Sequence, residues 1–195
     1  MIGTGFQQPV LQAQSTFRAI LDALARPGTV QPLGEPVDAP ARLSVGAAAI
    51  ALTLCDHDTP VWLDGGLGGN DEVAQWLRFH CGCPLVDNPR EAAFAFAGDI
   101  EDLPPFEAFG LGTAEYPDRS TTIVLQVESF GGGPKLALEG PGIRGRASFH
   151  AEPLPPDIAA RLAANRALFP RGVDLLLVTD ATVAALPRST LVEEA

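Results

Sequence analysis

Leu136-Ala137-Leu138-Glu139-Gly140-Pro141-Gly142-Ile143 restricts the fold more than any other stretch of the chain. Leu136 and Leu138 alternate with Ala137 and Glu139, the two-residue period of a strand. Gly-Pro-Gly then turns the strand with little conformational freedom. Proline fixes its own φ, and its flanking glycines accept angles that side chains forbid. The turn aims Arg144 and Arg146, and two arginines on a rigid turn can fork around a carboxylate or phosphate. Taken alone, the residues favour a plainer reading, a sharply bent strand end followed by two solvated arginines. An isolated Gly-rich turn is a weak signal.

Around this corner the chain alternates helical and strand patterns. Val10, Ala13, Phe17, Ile20, Leu21 and Leu24 follow three- and four-residue spacing after Pro9, and Arg26-Pro27-Gly28 stops that helix. Ser44 is a cap for a second helix to about Leu54, apolar all round and therefore buried. Val61-Trp62-Leu63 reads as a strand and Gly65 to Gly69 as a flexible loop. Asn70 caps a third helix whose buried face is Val73, Trp76, Leu77 and His80. Ala92 to Ala97 reads as a strand, and Thr121 to Val127, β-branched and apolar, is the clearest one. Gly131-Gly132-Gly133-Pro134 joins it to Leu136–Leu138, most simply as a hairpin, with Ala147–Phe149 as a third neighbour. A helix follows Pro155-Pro156-Asp157. Val173 to Val178 is a central strand broken only by Asp174, and Thr182 to Ala185 is too short to assign. Interleaved strands and helices around a hairpin predict the α/β class with a mixed sheet, and no linker divides residues 1–195 into two domains.

Composition removes several functions. The 195 residues carry 13 Lys+Arg against 24 Asp+Glu, a formal net charge of −11, so nucleic acid is not the expected partner. Three cysteines are too few for a disulfide framework and fit a reducing compartment. Met1 to Val10 shows no leader pattern and no stretch is long enough to span a membrane, so a cytoplasmic protein is expected. Cys55, His57, His80, Cys81 and Cys83 are potential metal ligands, but none forms a C-x-x-C pair, and no metal site is expected. A P-loop, a G-x-S-x-G elbow and a dinucleotide fingerprint are all absent.

Four charges sit in rigid or apolar settings: Arg26 before Pro27-Gly28, Arg144 behind the corner, Asp174 inside the apolar strand, and Arg188 after Pro187. Asp56 and Thr59 also follow the buried second helix. A charge in a buried element needs a partner. An internal ion pair between Asp174 and an arginine is the favoured reading. The functional alternative is a cleft lined by arginines, with Arg26, Arg144, Asp174 and Arg188 as its candidate ligand-binding residues.

The same places carry a family resemblance. Phe17-Arg18 with Arg26-Pro27-Gly28, Leu52-Thr53-Leu54-Cys55-Asp56 with Thr59, and Leu77-Arg78-Phe79-His80 come first. Then follow Leu138 to Ile143, Asn165 with Phe169-Pro170-Arg171-Gly172-Val173-Asp174, and Leu186-Pro187-Arg188-Ser189-Thr190. In this order, and covering nearly the whole chain, they resemble the PhnH family, one component of the bacterial carbon–phosphorus lyase core complex. Cys81 departs from the threonine expected there.

The resemblance implies a three-layer α/β/α sandwich like that of pyridoxal-phosphate-dependent transferases, without the cofactor, and dimeric in isolation. The sequence agrees on the cofactor. A Schiff-base enzyme needs a positioned lysine, and the only lysine is Lys135, just after the Gly-Gly-Gly-Pro of the expected hairpin. The resemblance further implies assembly with the core subunits G, I and J. Its implied role is an essential, non-catalytic one in making ribose 1-phosphonate 5-triphosphate from a nucleoside triphosphate and an alkylphosphonate. A contribution to the active site, or phosphonate or nucleotide binding, is the alternative. A pyridoxal enzyme is the third reading. The resemblance places the radical chemistry of carbon–phosphorus bond cleavage on subunit J, whose iron–sulfur cluster needs clustered cysteines that this chain lacks.

Overall fold

The computed structural model describes residues 3–195; Met1 and Ile2, part of the stretch read for a leader, lie outside them. Helix α1 (Pro9–Ala25) begins with proline in its first turn, where a missing N–H costs nothing. After the two-residue strand β1 (Gln31–Pro32) comes α2 (Val45–Leu54), whose N-cap Ser44 accepts the Ala47 N–H at 3.2 Å. Gly46 to Ala51 are all buried, as an evenly apolar helix requires. Strand β2 (Val61–Leu63) leads into α3 (Gly65–Gly68) and α4 (Asp71–His80). Asn70 caps α4 through the Glu72 N–H at 2.9 Å, and Asp71 and Glu72 oppose Arg78 and His80 across the helix dipole. Next come β3 (Phe94–Ala97), β4 (Thr122–Gln126), β5 (Lys135–Glu139), β6 (Ala147–His150) and α5 (Ile158–Ala167). Strands β7 (Asp174–Val178), β8 (Thr182–Leu186) and β9 (Leu191–Glu194) finish the chain.

Six strands form one mixed sheet in the order β1-β8-β7-β4-β3-β2. The run β2, β3, β4, β7 is parallel, β8 pairs antiparallel with β7, and β1 pairs antiparallel with β8. The α/β expectation with a mixed sheet is met. Side-chain alternation gives the sheet two apolar faces. Phe96, Val124, Leu176, Val178 and Val183 pack beneath Ile20 of α1, Ile50 of α2 and Leu77 of α4. Ala95, Ile123, Leu125, Leu175 and Leu177 face the opposite way, onto Phe106, Phe109, Ile158 and Leu162.

A second sheet, in the order β6-β5-β9, covers part of that other face. The expected hairpin between β4 and β5 therefore does not form. Both neighbours of β4 are the parallel strands β3 and β7, so it has no free edge for β5. Burial does not tell the two runs apart, since Ile123, Val124 and Leu125 in one and Leu136, Ala137 and Leu138 in the other are all buried; the open edges decide which sheet each joins. The neighbouring strand Ala147–Phe149 is real, paired antiparallel to β5.

One further expectation changes. The Gly65–Gly69 loop is a helical turn, because Asp64 accepts the Leu67 N–H at 2.8 Å and Leu67 is buried. The expected helix α1 forms, and its apolar residues lie on two sides of it. Thr16, Ala19, Ile20 and Ala23 are buried, while Val10, Leu11, Phe17 and Leu21 stand in solvent at 70%, 62%, 46% and 49% exposure.

Candidate functional site

Three distant segments meet at the corner after β5. Gly142 has φ +82°, and a side chain there would run into the Ala25 carbonyl and the Pro27 ring, its Cβ 2.9 Å from Cδ. A Cβ on Gly140 would lie 3.1 Å from the Ser189 carbonyl oxygen. The N–H of Gly28 donates to the Ala185 carbonyl at 3.2 Å, fastening the end of α1 to β8. Gly-Pro-Gly thus works as a wedge between the exit of α1 and the loop from β8 to β9. Close backbone approach is what demands glycine here. Three of the six segments that carry the resemblance share this junction.

Arg188, on the β8–β9 loop, points from the junction into a hub. Its Nε donates to Asp174 Oδ1 at 3.1 Å and its Nη2 to Asp174 Oδ2 at 2.5 Å. Nη2 also donates to Ser120 Oγ at 2.5 Å, and Nη1 donates to the carbonyls of Pro117 at 2.7 Å and Pro170 at 3.5 Å. A guanidinium has five N–H groups, and each has an acceptor here. The Arg188 backbone N–H donates to the same carboxylate at 2.9 Å. The side chains are 13% and 23% exposed, and the expected internal ion pair is present. Arg188 thereby ties together the loops at 117–120 and 169–172 and the first residue of β7. A shallow cleft of about 340 Å³ lies over it, lined by Pro117, Phe169, Pro170, Asp174, Pro187 and Arg188.

The other candidates stand apart from this hub. Arg26 is half-exposed and pairs with Asp22, one turn back on α1, at 3.1 Å. Arg146 binds Glu193 at 2.8 Å and lies 3.7 Å from Glu139, so its charge is committed to neighbouring strands. Arg144 is exposed and makes no ion pair among the described residues. Of the four candidate ligand-binding residues, only Asp174 and Arg188 are brought together, and they satisfy one another. Arg144 is the charge left open to a partner. Asp56 closes a tight turn: the Thr59 hydroxyl donates to Oδ1 at 2.7 Å and the Asp58 N–H at 3.0 Å. These bonds, the hydroxyl first, hold its carboxyl below the ordinary range.

At the carboxyl end of the parallel strands, where α/β proteins commonly bind ligands, two residues escaped the sequence reading. Asp64 is fully buried and accepts the N–H groups of Gly98 at 2.6 Å, Asp99 at 2.9 Å and Leu67 at 2.8 Å. Arg42 holds φ +74° and reaches the Gly66 carbonyl at 3.4 Å. Asp following a short strand was the only available signal for the first. Nothing in sequence marks the second. Among the described residues, no group of three or more His, Cys, Asp or Glu side chains is placed to hold a metal ion. No helix of the described residues is long and apolar enough to cross a membrane.

A family model described as bacterial phosphonate metabolism protein (PhnH) matches residues 4–193. The chain is 45% identical over 188 residues to the α-D-ribose 1-methylphosphonate 5-triphosphate synthase subunit PhnH of Rhizobium meliloti (strain 1021). That match covers 96% of this chain and 94% of the relative. It is 31% identical over 184 residues to a putative C-P lyase subunit protein, HtxG, of Stutzerimonas stutzeri, covering 91% and 84%.

Proposed function

Because the chain belongs to the PhnH family of bacterial phosphonate metabolism proteins, we propose that it is a subunit of an α-D-ribose 1-methylphosphonate 5-triphosphate synthase. In this reading it is required for activity but makes no bond itself. It works as one domain over residues 1–195, in the cytoplasm, with the core subunits G, I and J, and pairs with itself when isolated. The name and near-complete coverage of the Rhizobium relative support the pathway. The observation that carries the subunit role is the stripe on α1. Val10, Phe17 and Leu21 recur at helical spacing on the side away from the core, beside Leu11. Fully burying a large apolar side chain is worth roughly 1.5–3 kcal/mol, and side chains left 46–70% exposed forgo about half of it. Four such side chains on one helix mark a surface that another protein covers. The saturated Arg188 hub supports the same reading, since its polar groups are used in holding loops.

The pyridoxal-transferase-like ancestry belongs to this proposal too. A mixed six-stranded sheet covered by helices on one face, and by α5 with a small sheet on the other, is in keeping with it. Lys135 opens β5 with its side chain exposed, a poor setting for a Schiff base, which needs a desolvated amine.

The double variant Phe17→Glu/Leu21→Glu tests the stripe. Both positions are about half exposed, so the isolated chain keeps its circular dichroism and melting temperature within about 2 °C. Co-purification with the partner subunits is lost. A variant that still assembles with wild-type stoichiometry removes the stripe as the docking surface.

A further inference from the structure

The three cysteines, which the proposed function leaves unused, are gathered around two backbone carbonyls. The Ala51 carbonyl accepts the Cys55 N–H at 2.9 Å and lies 3.6 Å from Cys81 Sγ. The Leu77 carbonyl accepts the Cys81 N–H at 2.9 Å and lies 4.0 Å from Cys83 Sγ. Cys81 and Cys83 thus flank the C-terminus of α4, each thiol donating to a carbonyl of its own. Between them Gly82 takes φ +67°, the reversal that returns the chain upon itself just after α4. Cys55 and Cys83 are buried, and Cys81 is partly open to solvent.

From this arrangement we propose that Cys81-Gly82-Cys83 is a reversible dithiol–disulfide site, oxidised by low-molecular-weight disulfides such as glutathione disulfide. Sequence neighbours two apart lie within the Cα separation a disulfide spans when the middle residue turns the chain, and glycine removes the side chain that would oppose ring closure. The neighbouring Cys81, helped by Arg78, holds the Cys83 thiol below its usual range while Cys81 is pushed up, so Cys83 is the sulfur that ionises first, and ionisation is the condition for exchange. Burial pushes the Cys55 thiol up and leaves it inert. In the exchange, a thiolate of the pair attacks one sulfur of glutathione disulfide and expels a glutathione thiolate. The second protein thiol gives its proton to solvent, attacks the mixed disulfide and expels the other glutathione. Two protein thiols are oxidised and one glutathione disulfide is reduced.

Trypsin separates the possibilities, because it leaves Cys81 and Cys83 together in the peptide 79–90 and Cys55 in the peptide 43–78. The full chain is equilibrated with glutathione disulfide, quenched with acid, alkylated with N-ethylmaleimide and digested. The expected result is a 79–90 peptide two hydrogens lighter, without N-ethylmaleimide, and restored by dithiothreitol, with Cys55 alkylated throughout. Cys83→Ala is expected to stop at glutathione carried on Cys81, and Cys55→Ala to close the ring as the wild type does. Alkylation of both thiols of 79–90 after oxidation, or a cross-link joining 79–90 to 43–78, overturns the proposal.

Discussion

Gly142→Val lowers the melting temperature by about 6–12 °C, on the basis of roughly 3 kcal/mol of lost stability in a chain of this size. Two effects add. At φ +82° a β-branched residue pays the left-handed penalty, about 1–2 kcal/mol. Its Cβ also has nowhere to go, since the Ala25 carbonyl and the Pro27 ring occupy the space. The corner must open, or α1 must shift from β8. Gly145→Ala separates the two effects. Gly145 has φ +72°, yet a Cβ there would meet nothing within 4 Å. Only the conformational penalty remains, about 1 kcal/mol. Thermal unfolding followed by circular dichroism measures both variants. Equal losses in the two would show that the wedge is not under compression.

Arg188→Met is expected to destabilise by about 3 kcal/mol in urea unfolding, towards the lower end of what breaking a buried pair costs. The pair is not sealed from water, with 13% and 23% of its side chains exposed, which reduces the figure. What makes the loss large is the stranded partner. Asp174 would keep only the Arg188 backbone N–H, and the carbonyls of Pro117 and Pro170 and the Ser120 hydroxyl would lose their donor. Asp174→Asn removes the charge and keeps a hydrogen-bonding side chain, so it costs less. In the double variant no charge is stranded. Its loss is expected to fall short of the sum of the single losses by more than about 1 kcal/mol. Additive losses would mean that Arg188 stabilises the loops independently of Asp174.

Local rules made much of this chain readable. Ser44 and Asn70 cap their helices through nearby N–H groups, and Val73, Trp76 and Leu77 share the buried side of α4. Asp174 stood out as a charge in an apolar strand, and its need of a partner followed from electrostatics alone. Local rules fall short where the same local pattern serves two environments. Apolar residues at helical spacing in α1 point to the core in one stripe and to solvent in another, and periodicity does not say which is covered. Strands β4 and β5 follow one another across a glycine-rich turn, yet each sheet claims one, because sheet membership depends on which edges remain open. Asp64 takes two of its three N–H donors from residues more than thirty positions away, and Arg42 holds a positive φ that its residue type does not announce. Only the folded chain creates those environments. The family segments were legible for a related reason. Three of them meet at one junction where contact requires glycine at 28, 140 and 142, so those residue types are fixed by geometry that a short stretch still displays.

In its proposed role this chain enables synthesis through assembly with its partners. The most direct measurement is product formation, followed by phosphorus NMR, with the partner subunits, methylphosphonate and a nucleoside triphosphate, in the presence and absence of this chain, and with this chain alone. The expected result is no ribose 1-methylphosphonate 5-triphosphate from the chain alone, and product from the partner subunits only when it is added. Product from the isolated chain, or undiminished product without it, would contradict the claim.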